Sequence, residues 1–173
     1  MADSKEIRTL LDKQQLHDLV LRYARAIDRR DKTMLLSLYH DGAIDDHGTV
    51  FKGEAATFAE AQSELMKAFQ VTAHYITNCL FEIEGDTAEG EIYFIAYHRT
   101  NHQNPEEVIV GGRYLDHYIR TDKTWKISHR VLVWDSYRTT QVEDKDMASL
   151  KGLGVTGEGA NDISIEHLPL LSR

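Results

Sequence analysis

Four long runs rich in β-forming residues decide the fold: Thr72–Glu82 (TAHYITNCLFE), Glu89–Thr100 (EGEIYFIAYHRT), Val108–Arg120 (VIVGGRYLDHYIR) and Trp125–Tyr137 (WKISHRVLVWDSY). Valine, isoleucine, threonine and aromatic side chains pack well on a pleated, half-buried surface, so each run predicts a strand. The segments that connect the runs are short and polar. Short links between neighbouring strands indicate antiparallel hairpins.

The residues before these runs predict helices. Lys5–Asp28 carries apolar residues at helical spacing on one face, namely Leu16, Val20, Tyr23, Ala24 and Ile27. Asp31 is placed to cap a second, shorter helix, and a third helix is predicted for Glu54–Gln70, with a short strand at Ala43–Asp46 between the two. Helices first and strands later give the order α-α-β-α-β-β-β-β, which is typical of the α+β class.

The composition limits the classes of function. The chain has 173 residues, which suits one domain with a real core. Asp and Glu number 28 against 20 Lys and Arg, a formal charge of -8, and this balance argues against binding to nucleic acid or to an anionic membrane. The lone cysteine, Cys79, excludes an internal disulfide and a cysteine-based zinc site. With no apolar run of about 18 residues and with a polar N-terminus, the chain is expected to be cytoplasmic.

The composition also divides the chain at about residue 140. Residues 1–140 form the predicted α+β domain, whereas residues 141–173 lack Phe, Tyr and Trp and hold four of the 11 glycines. We interpret residues 141–173 as a C-terminal arm with one short helix near Met147–Lys151. Leu170 and Leu171 are its candidate apolar anchors.

One strand histidine is the leading candidate for chemistry. The sequence lacks the glycine-rich nucleotide loops, the Gly-x-Ser-x-Gly elbow and the His-Glu-x-x-His signature. Strand alternation places His74 on one face with Thr72, Ile76 and Asn78. A carboxylate on one imidazole nitrogen would fix its tautomer and raise the basicity of the other, and Asp28, at the end of the first helix, is the candidate partner. A lone strand histidine is more often structural, and the residues alone leave both interpretations open.

Other polar residues also allow two interpretations. His98 and His102 are four residues apart and form either a weak metal pair or a solvated hairpin end. Tyr23 is either a core aromatic or a residue that flanks a cavity near Asp28.

Arg130 lies on one strand face with Leu132 and Trp134. An arginine that pointed inward among apolar residues would require an anion or a substrate oxygen. The alternative turns this face to solvent and places Val131 and Val133 inside.

Three segments resemble the SnoaL-like branch of the nuclear transport factor 2-like superfamily, which includes hexachlorocyclohexane dehydrochlorinase, scytalone dehydratase and bile-acid dehydratases. The segments are Tyr23–Asp28 (YARAID), His74–Asn78 (HYITN) and the last hairpin, Gly111–Tyr137. The resemblance covers Leu16–Thr140. It implies a cone-shaped α+β barrel in which a curved antiparallel or mixed sheet wraps around N-terminal helices.

The resemblance also implies roles by position. Asp28 and His74 match a catalytic dyad in which the histidine takes a proton and the aspartate holds its tautomer. Arg130 matches an arginine near the leaving group of the dehydrochlorinase. Tyr23 matches a tyrosine of the bile-acid dehydratases where the dehydrochlorinase has lysine, which makes chloride elimination less expected. His47 stands where both dehydratase types carry a pocket tyrosine, so an imidazole replaces that phenol.

We therefore predict a lyase of the dehydratase type, or an isomerase, that uses histidine–aspartate acid–base chemistry on a small hydrophobic cyclic substrate. The predicted catalytic residues are His74, Asp28, Tyr23 and Arg130; the predicted substrate contacts are His47, His98, Tyr114 and Trp134. This mechanism requires no metal or organic cofactor.

The alternatives come from the range of functions that the fold hosts. They are a non-catalytic ligand-binding protein, a small β-type subunit of a ring-hydroxylating dioxygenase, and a polyketide cyclase or ketosteroid-isomerase-like enzyme. We also expect a dimer or trimer of identical chains, because such cones leave an apolar sheet face that needs cover.

Overall fold

The first helix packs against the sheet. The computed structural model describes residues 4–142 and 161–171, so the helix predicted near Met147–Lys151 lies outside the described residues. Helix α1 spans Ser4–Asp28, close to the predicted range. Its predicted apolar face is buried, with Leu16 and Val20 at 0% and Tyr23 at 1% exposure.

A short helix and two strands follow α1. Asp31 caps α2 (Lys32–Ser37) as predicted, since its Oδ1 accepts a hydrogen bond from the backbone N–H of Met34 at 2.9 Å. Strand β1 spans Tyr39–Asp46 and therefore begins before the predicted Ala43. Strand β2 (Lys52–Glu54) pairs with β1 and was not predicted. Its three residues are too few for the alternation of a strand to be recognised.

The third helix is shorter than predicted. Helix α3 spans Ala55–Leu65, and a single 3₁₀ turn (Met66–Ala68) separates it from the sheet. Strand β3 then begins at Phe69, which pairs with Thr100 on the neighbouring strand. Pairing with a distant strand is not visible in local periodicity, and it ends the helical segment earlier than the apolar spacing indicates.

All four predicted strands are present and each is longer than expected: β3 (Phe69–Glu84), β4 (Thr87–Thr100), β5 (Glu106–Thr121) and β6 (Thr124–Gln141). The six strands form one sheet in the order β2-β1-β6-β5-β4-β3. Only the β1–β6 pair is parallel among the described strand pairs. The predicted α+β class, with N-terminal helices on a curved sheet, is confirmed; the sheet is not closed, and β2 and β3 are its edges.

A bulge interrupts the pairing of β5 and β6 beside the cavity. The register of β5 and β6 shifts between Gly111 and Gly112, where Gly112 pairs with Trp134. A Cβ on Gly112 would lie 2.4 Å from the carbonyl oxygen of Val133 and 2.9 Å from the Phe94 ring. Glycine therefore allows the backbones to approach closely here, next to the tryptophan that borders the cavity described below.

The C-terminal segment is held to α1 by polar contacts. Asp162 is buried, caps helix α4 (Ile163–His167) and forms an ion pair with Arg29 at 3.2 Å. The Nη2 of Arg25 donates to the Ser164 hydroxyl at 3.0 Å. The expected apolar anchors are not found in this role, because Leu170 and Leu171 are 73% and 49% exposed. None of the described helices is both long enough and apolar enough to cross a membrane.

Candidate active site

A cavity of about 570 Å³ opens between the helices and the inner face of the sheet. Its apolar walls come from α1, α3 and the strands, and include Ile27, Phe58, Met66, Phe94, Val110 and Leu132. Its polar lining includes Tyr23, His47, His74, His98, Tyr114 and Trp134. A concave, mostly apolar pocket with a few convergent polar groups is typical of a small-molecule site.

His74 and Asp28 meet at the wall of this cavity. Oδ1 of Asp28 lies 2.7 Å from Nδ1 of His74, and Oδ2 accepts the backbone N–H of the same residue at 2.9 Å. The two side chains are 13% and 9% exposed. A carboxylate fixed in this way keeps the proton on Nδ1, so that Nε2 is left with its lone pair for the cavity.

His98 lies beside His74 but has a different environment. Its ring is 5.5 Å from the His74 ring, edge to face, and its Nδ1 is 2.9 Å from the hydroxyl of Thr72. Burial, and then the charge of His74, lower the pKa of His98 to about 4. His98 is therefore a neutral hydrogen-bonding group near neutral pH, placed beside the imidazole that the carboxylate orients.

A buried arginine lies behind Tyr23 and Tyr114, two aromatic residues of the cavity wall. Arg130 is 0% exposed and donates to both oxygens of Asp116, from Nε at 2.7 Å and from Nη2 at 2.6 Å. Its guanidinium carbon lies 3.9 Å from the ring centroid of Tyr23 and 4.1 Å from that of Tyr114. Among the described residues Nη1 finds no hydrogen-bond partner, and the two aromatic faces take that place.

Burial keeps the two tyrosines of this wall protonated. It raises the pKa of the Tyr23 phenol well above its ordinary value, although the charge of Arg130 opposes the shift. The pKa of Tyr114 is raised in the same way, with burial again the largest cause. Both tyrosines line the cavity as neutral phenols, and neither can act as an anionic base near neutral pH.

A second histidine of the cavity also rests on a carboxylate. Nδ1 of His47 contacts Oδ1 of Asp45, whose other oxygen accepts the hydroxyl of Tyr39 in a short hydrogen bond. Asp45 and Tyr39 are buried, at 0% and 4% exposure. The His47 ring stacks on Phe58 with the centroids 4.7 Å apart and the planes at 24°.

The mouth of the cavity carries the remaining polar lining. Trp134 and Tyr137 lie there, 47% and 61% exposed, together with His102 and Glu106. Across residues 4–142 and 161–171 no three His, Cys, Asp or Glu side chains come close enough together to hold a metal ion. In this part of the chain His98 and His102 therefore have no third ligand.

The structure brings most of the predicted site residues to one cavity. Seven of them line it or touch a residue that does: Tyr23, Asp28, His47, His74, His98, Tyr114 and Trp134. Arg130 points inward, as one of the two interpretations required, and finds its anion in Asp116. It lies outside the cavity lining, behind Tyr23 and Tyr114, so the structure places it as a support for this wall.

Three residues of these networks were not predicted from the sequence. Asp45, Tyr39 and Asp116 were not singled out, although each contacts a predicted residue or a partner of one. The spacing Asp45-x-His47 on a strand was the available signal, because residues two apart in a strand share a face. Nothing local distinguished Asp116 from the other acidic residues of an acidic chain.

Comparison with known proteins agrees with this architecture. A family profile described as SnoaL-like domain matches residues 8–131. Three solved structures illustrate the likeness. A candidate scytalone dehydratase from Novosphingobium aromaticivorans is 18% identical with a TM-score of 0.71, and the match covers 78% of this chain and 91% of that one. A hexachlorocyclohexane dehydrochlorinase from Novosphingobium barchaimii is also 18% identical with a TM-score of 0.71, covering 78% and 94%.

The third structure carries a different name. It is a candidate aromatic ring hydroxylase from Novosphingobium aromaticivorans, 26% identical with a TM-score of 0.68, and the match covers 78% of this chain and 96% of that one. Similar backbones in this group therefore carry names of different chemistries. The side chains of the cavity, and not the fold, must decide between them.

Proposed function

The chain belongs to the SnoaL-like domain family, and from this membership we propose that it is a lyase of the dehydratase type. The observation that carries the proposal is the Asp28–His74 pair, in which both carboxylate oxygens bind one histidine at the wall of an apolar cavity. A base held in one tautomer next to apolar walls suits the removal of a proton from carbon.

The reaction is an elimination of water. Nε2 of His74 takes a proton from the substrate carbon next to an electron-withdrawing group, and the electrons of that C–H bond form the new C=C bond. The C–O bond of the neighbouring carbon breaks, and the hydroxyl leaves as water after it receives a proton. Asp28 stabilises the imidazolium that forms on His74. General acid–base catalysis of this kind contributes about 10²–10⁴-fold to the rate.

Three groups of the cavity are candidates for the acid that protonates the leaving hydroxyl. Tyr23 remains a phenol because burial raises its pKa. His47 lines the cavity with one nitrogen held by Asp45. The third candidate is the imidazolium of His74 itself, which can return the proton it took.

The shape of the cavity supports a cyclic, mostly apolar substrate. A volume of about 570 Å³ accommodates a one- or two-ring molecule. Phe94 stacks on Tyr114 with the ring centroids 4.5 Å apart, which gives the cavity a flat aromatic side. Trp134 at the mouth offers a second aromatic surface.

The test uses β-hydroxy ketones and a ketone without a leaving group. Purified protein is incubated with β-hydroxycyclohexanone and its two-ring analogue, and formation of the conjugated enone is followed by ultraviolet absorbance. In parallel, β-tetralone is incubated in deuterium oxide, and exchange at the carbon next to the carbonyl is followed by NMR. We expect both reactions, and we expect His74→Gln to abolish both while it leaves the fold intact by circular dichroism.

The outcomes separate the alternatives. Exchange without elimination favours an isomerase or cyclase. Neither reaction, together with tight binding of β-tetralone, favours a ligand-binding protein, and co-purification with a larger iron-containing chain favours a dioxygenase subunit. Unchanged elimination by His74→Gln would refute the proposal directly.

We also propose that the chain associates with copies of itself through the outer face of the sheet. Tyr75 pairs with Ile95 on this face, and they are 58% and 46% exposed. Tyr93 and Leu115 add further apolar surface nearby. Sedimentation velocity over a range of concentrations should show a dimer or trimer that Ile95→Glu weakens; a monomer at all concentrations would refute the proposal.

A further inference from the structure

The cavity contains two histidines that are held in the same way, and the proposed dehydratase mechanism uses only one of them as a base. In both residues Nδ1 faces an aspartate carboxylate: His74 faces Asp28, and His47 faces Asp45. Both rings line the cavity. Resting on the proposed function, we infer that His47 is the acid that protonates the leaving hydroxyl, with Asp45 and Tyr39 as its positioning residues.

His47 is held in a fixed position at the cavity. It follows β1 directly, and its backbone N–H donates to the carbonyl oxygen of Phe51 at 2.7 Å across the turn that joins β1 to β2. The imidazole then packs on the Phe58 ring of α3. Backbone and ring are thus both fixed, and the side chain is only 15% exposed. A group that is to deliver a proton at one point in space needs this kind of restraint.

Asp45 is the carboxylate that holds His47. Asp45 is fully buried and divides its two oxygens between the His47 ring and the Tyr39 hydroxyl. Burial raises the pKa of the Tyr39 phenol well above its ordinary value, so this hydroxyl stays a donor. Asp45 also lies opposite Arg130 in the parallel β1–β6 register. A buried carboxylate with a phenol on one oxygen can stabilise an imidazolium on the other.

The two histidines take different roles in the proposed reaction. His74 stands on β3, and His47 stands at the end of β1, with the cavity lined by both. A neutral His74 takes the proton from carbon at Nε2, while a protonated His47 gives its Nε2 proton to the departing hydroxyl. After the turnover His74 is protonated and His47 is neutral, and exchange with solvent restores the starting state. Atoms and charge balance without a further reactant.

The experiment separates the acid from the base. His47→Gln should lower the rate of enone formation from β-hydroxycyclohexanone about 10²-fold and leave deuterium exchange of β-tetralone within about twofold, because exchange needs only His74. The matched control is His117→Gln. His117 is an exposed histidine that stacks on His129 and is not part of the cavity lining. Equal loss of elimination and exchange by His47→Gln, or loss of neither, would overturn the inference.

A second readout does not depend on finding a substrate. Histidine nitrogen NMR of the whole protein should show His47 carrying its proton on Nδ1, with a strongly deshielded Nδ1–H resonance that weakens in Tyr39→Phe and is lost in Asp45→Asn. The signals of His74 should remain unchanged in both variants. A neutral form of His47 that carries its proton on Nε2 and not on Nδ1 would overturn the inference even where the lyase proposal holds. The expected spectrum with no elimination on any ketone would instead count against the proposed function.

Discussion

The two histidine–carboxylate pairs of the cavity differ in how the chain builds them. Asp28 and His74 are 46 residues apart, and they meet because the end of α1 lies against the start of β3. Asp45 and His47 are two residues apart on one strand and its turn. Asp28 gives both oxygens to one residue, whereas Asp45 shares its oxygens between a histidine and a tyrosine.

This difference separates two ways of fixing an imidazole. The geometry of the Asp28–His74 pair depends on how α1 packs on the sheet. The pair also connects α1 to β3. The Asp45–His47 pair requires only that the end of β1 is extended. Tyr39, which bonds to Asp45, and Phe58, which stacks on His47, fix its geometry. Perturbing each pair should therefore have consequences of different kinds.

After His74→Gln, Asp28→Asn should have the largest effect on catalysis. The Asp28 carboxylate accepts hydrogen bonds from both the backbone N–H and the ring Nδ1–H of His74. An asparagine at this position presents an N–H₂ group to one of these two donors, which favours the His74 tautomer with its proton on Nε2. We expect elimination of β-hydroxycyclohexanone to fall about 10³-fold, or ~4 kcal/mol in activation free energy. Initial rates at saturating ketone measure this loss.

The control for that variant is Asp18→Asn, which changes an exposed carboxylate on the same helix that accepts from Gln14 at 2.8 Å. It should leave the rate unchanged. If Asp28→Asn retains more than a tenth of the activity, the long-range pair does not orient the base.

Arg130→Met should have the largest effect on stability. The side chains of Arg130 and Asp116 are both fully buried, so removal of the cation leaves the carboxylate with the Tyr118 hydroxyl but without a charged partner. It also removes the group that stacks on Tyr23 and Tyr114. Breaking a buried pair in this way costs about 3–5 kcal/mol. Urea unfolding followed by fluorescence measures the change.

Arg113→Met gives the matched comparison on the outer face of the sheet. Arg113 bonds to Asp135 and Glu91, but these groups are partly exposed, and ion pairs of this type contribute about 0–1 kcal/mol. Similar losses for the two variants would mean that the wall behind the cavity depends on its volume and not on its charge.

His98 gives the protein a sensitivity to acid. Its folded-state pKa of about 4 lies below the ordinary 6.5, because burial disfavours the charged ring. The unfolded chain therefore binds the proton more readily, and the stability present above pH 6.5 is lost as the pH falls toward 4. Between pH 7 and pH 5 the His98 ring should lower the free energy of unfolding by about 2 kcal/mol.

The free energy of urea unfolding at these two pH values, compared with that of His98→Gln, checks this prediction. The variant should lose about 2 kcal/mol less than the parent chain over the same interval. An identical loss in both proteins would show that other groups, such as buried aspartates, control the acid sensitivity.

Local signals explain what the sequence made visible. The apolar stripe of α1, the capping position of Asp31 and the four β-rich runs are each written in neighbouring residues, and the structure has all of them. Asp28 was a candidate partner of His74 from its place at the end of the first helix, but the residues alone left the contact open, because two residues on different elements meet only through tertiary packing. The resemblance to a family then favoured it.

What could not be predicted depended on partners far away in the chain. The end of α3 at Leu65 and the start of β3 at Phe69 follow from pairing with β4. The role of Arg130 depended on which face of β6 points inward, and alternation alone allows both. Asp116, the residue that settles it, lies on a different strand.

Tyr39→Phe is the mildest change and the one that distinguishes the two pairs most cleanly. It removes the phenol oxygen that only the local pair possesses, and it leaves the packing of a buried ring in place. The cost to stability should be about 1.5 kcal/mol, the lower range for a hydrogen bond to a charged group, because His47 still occupies the other oxygen of Asp45. Elimination should slow several-fold and exchange of β-tetralone should not change, since Asp28 and His74 are untouched. If both rates fall together, the tyrosine supports the cavity as a whole, and the two pairs are not independent.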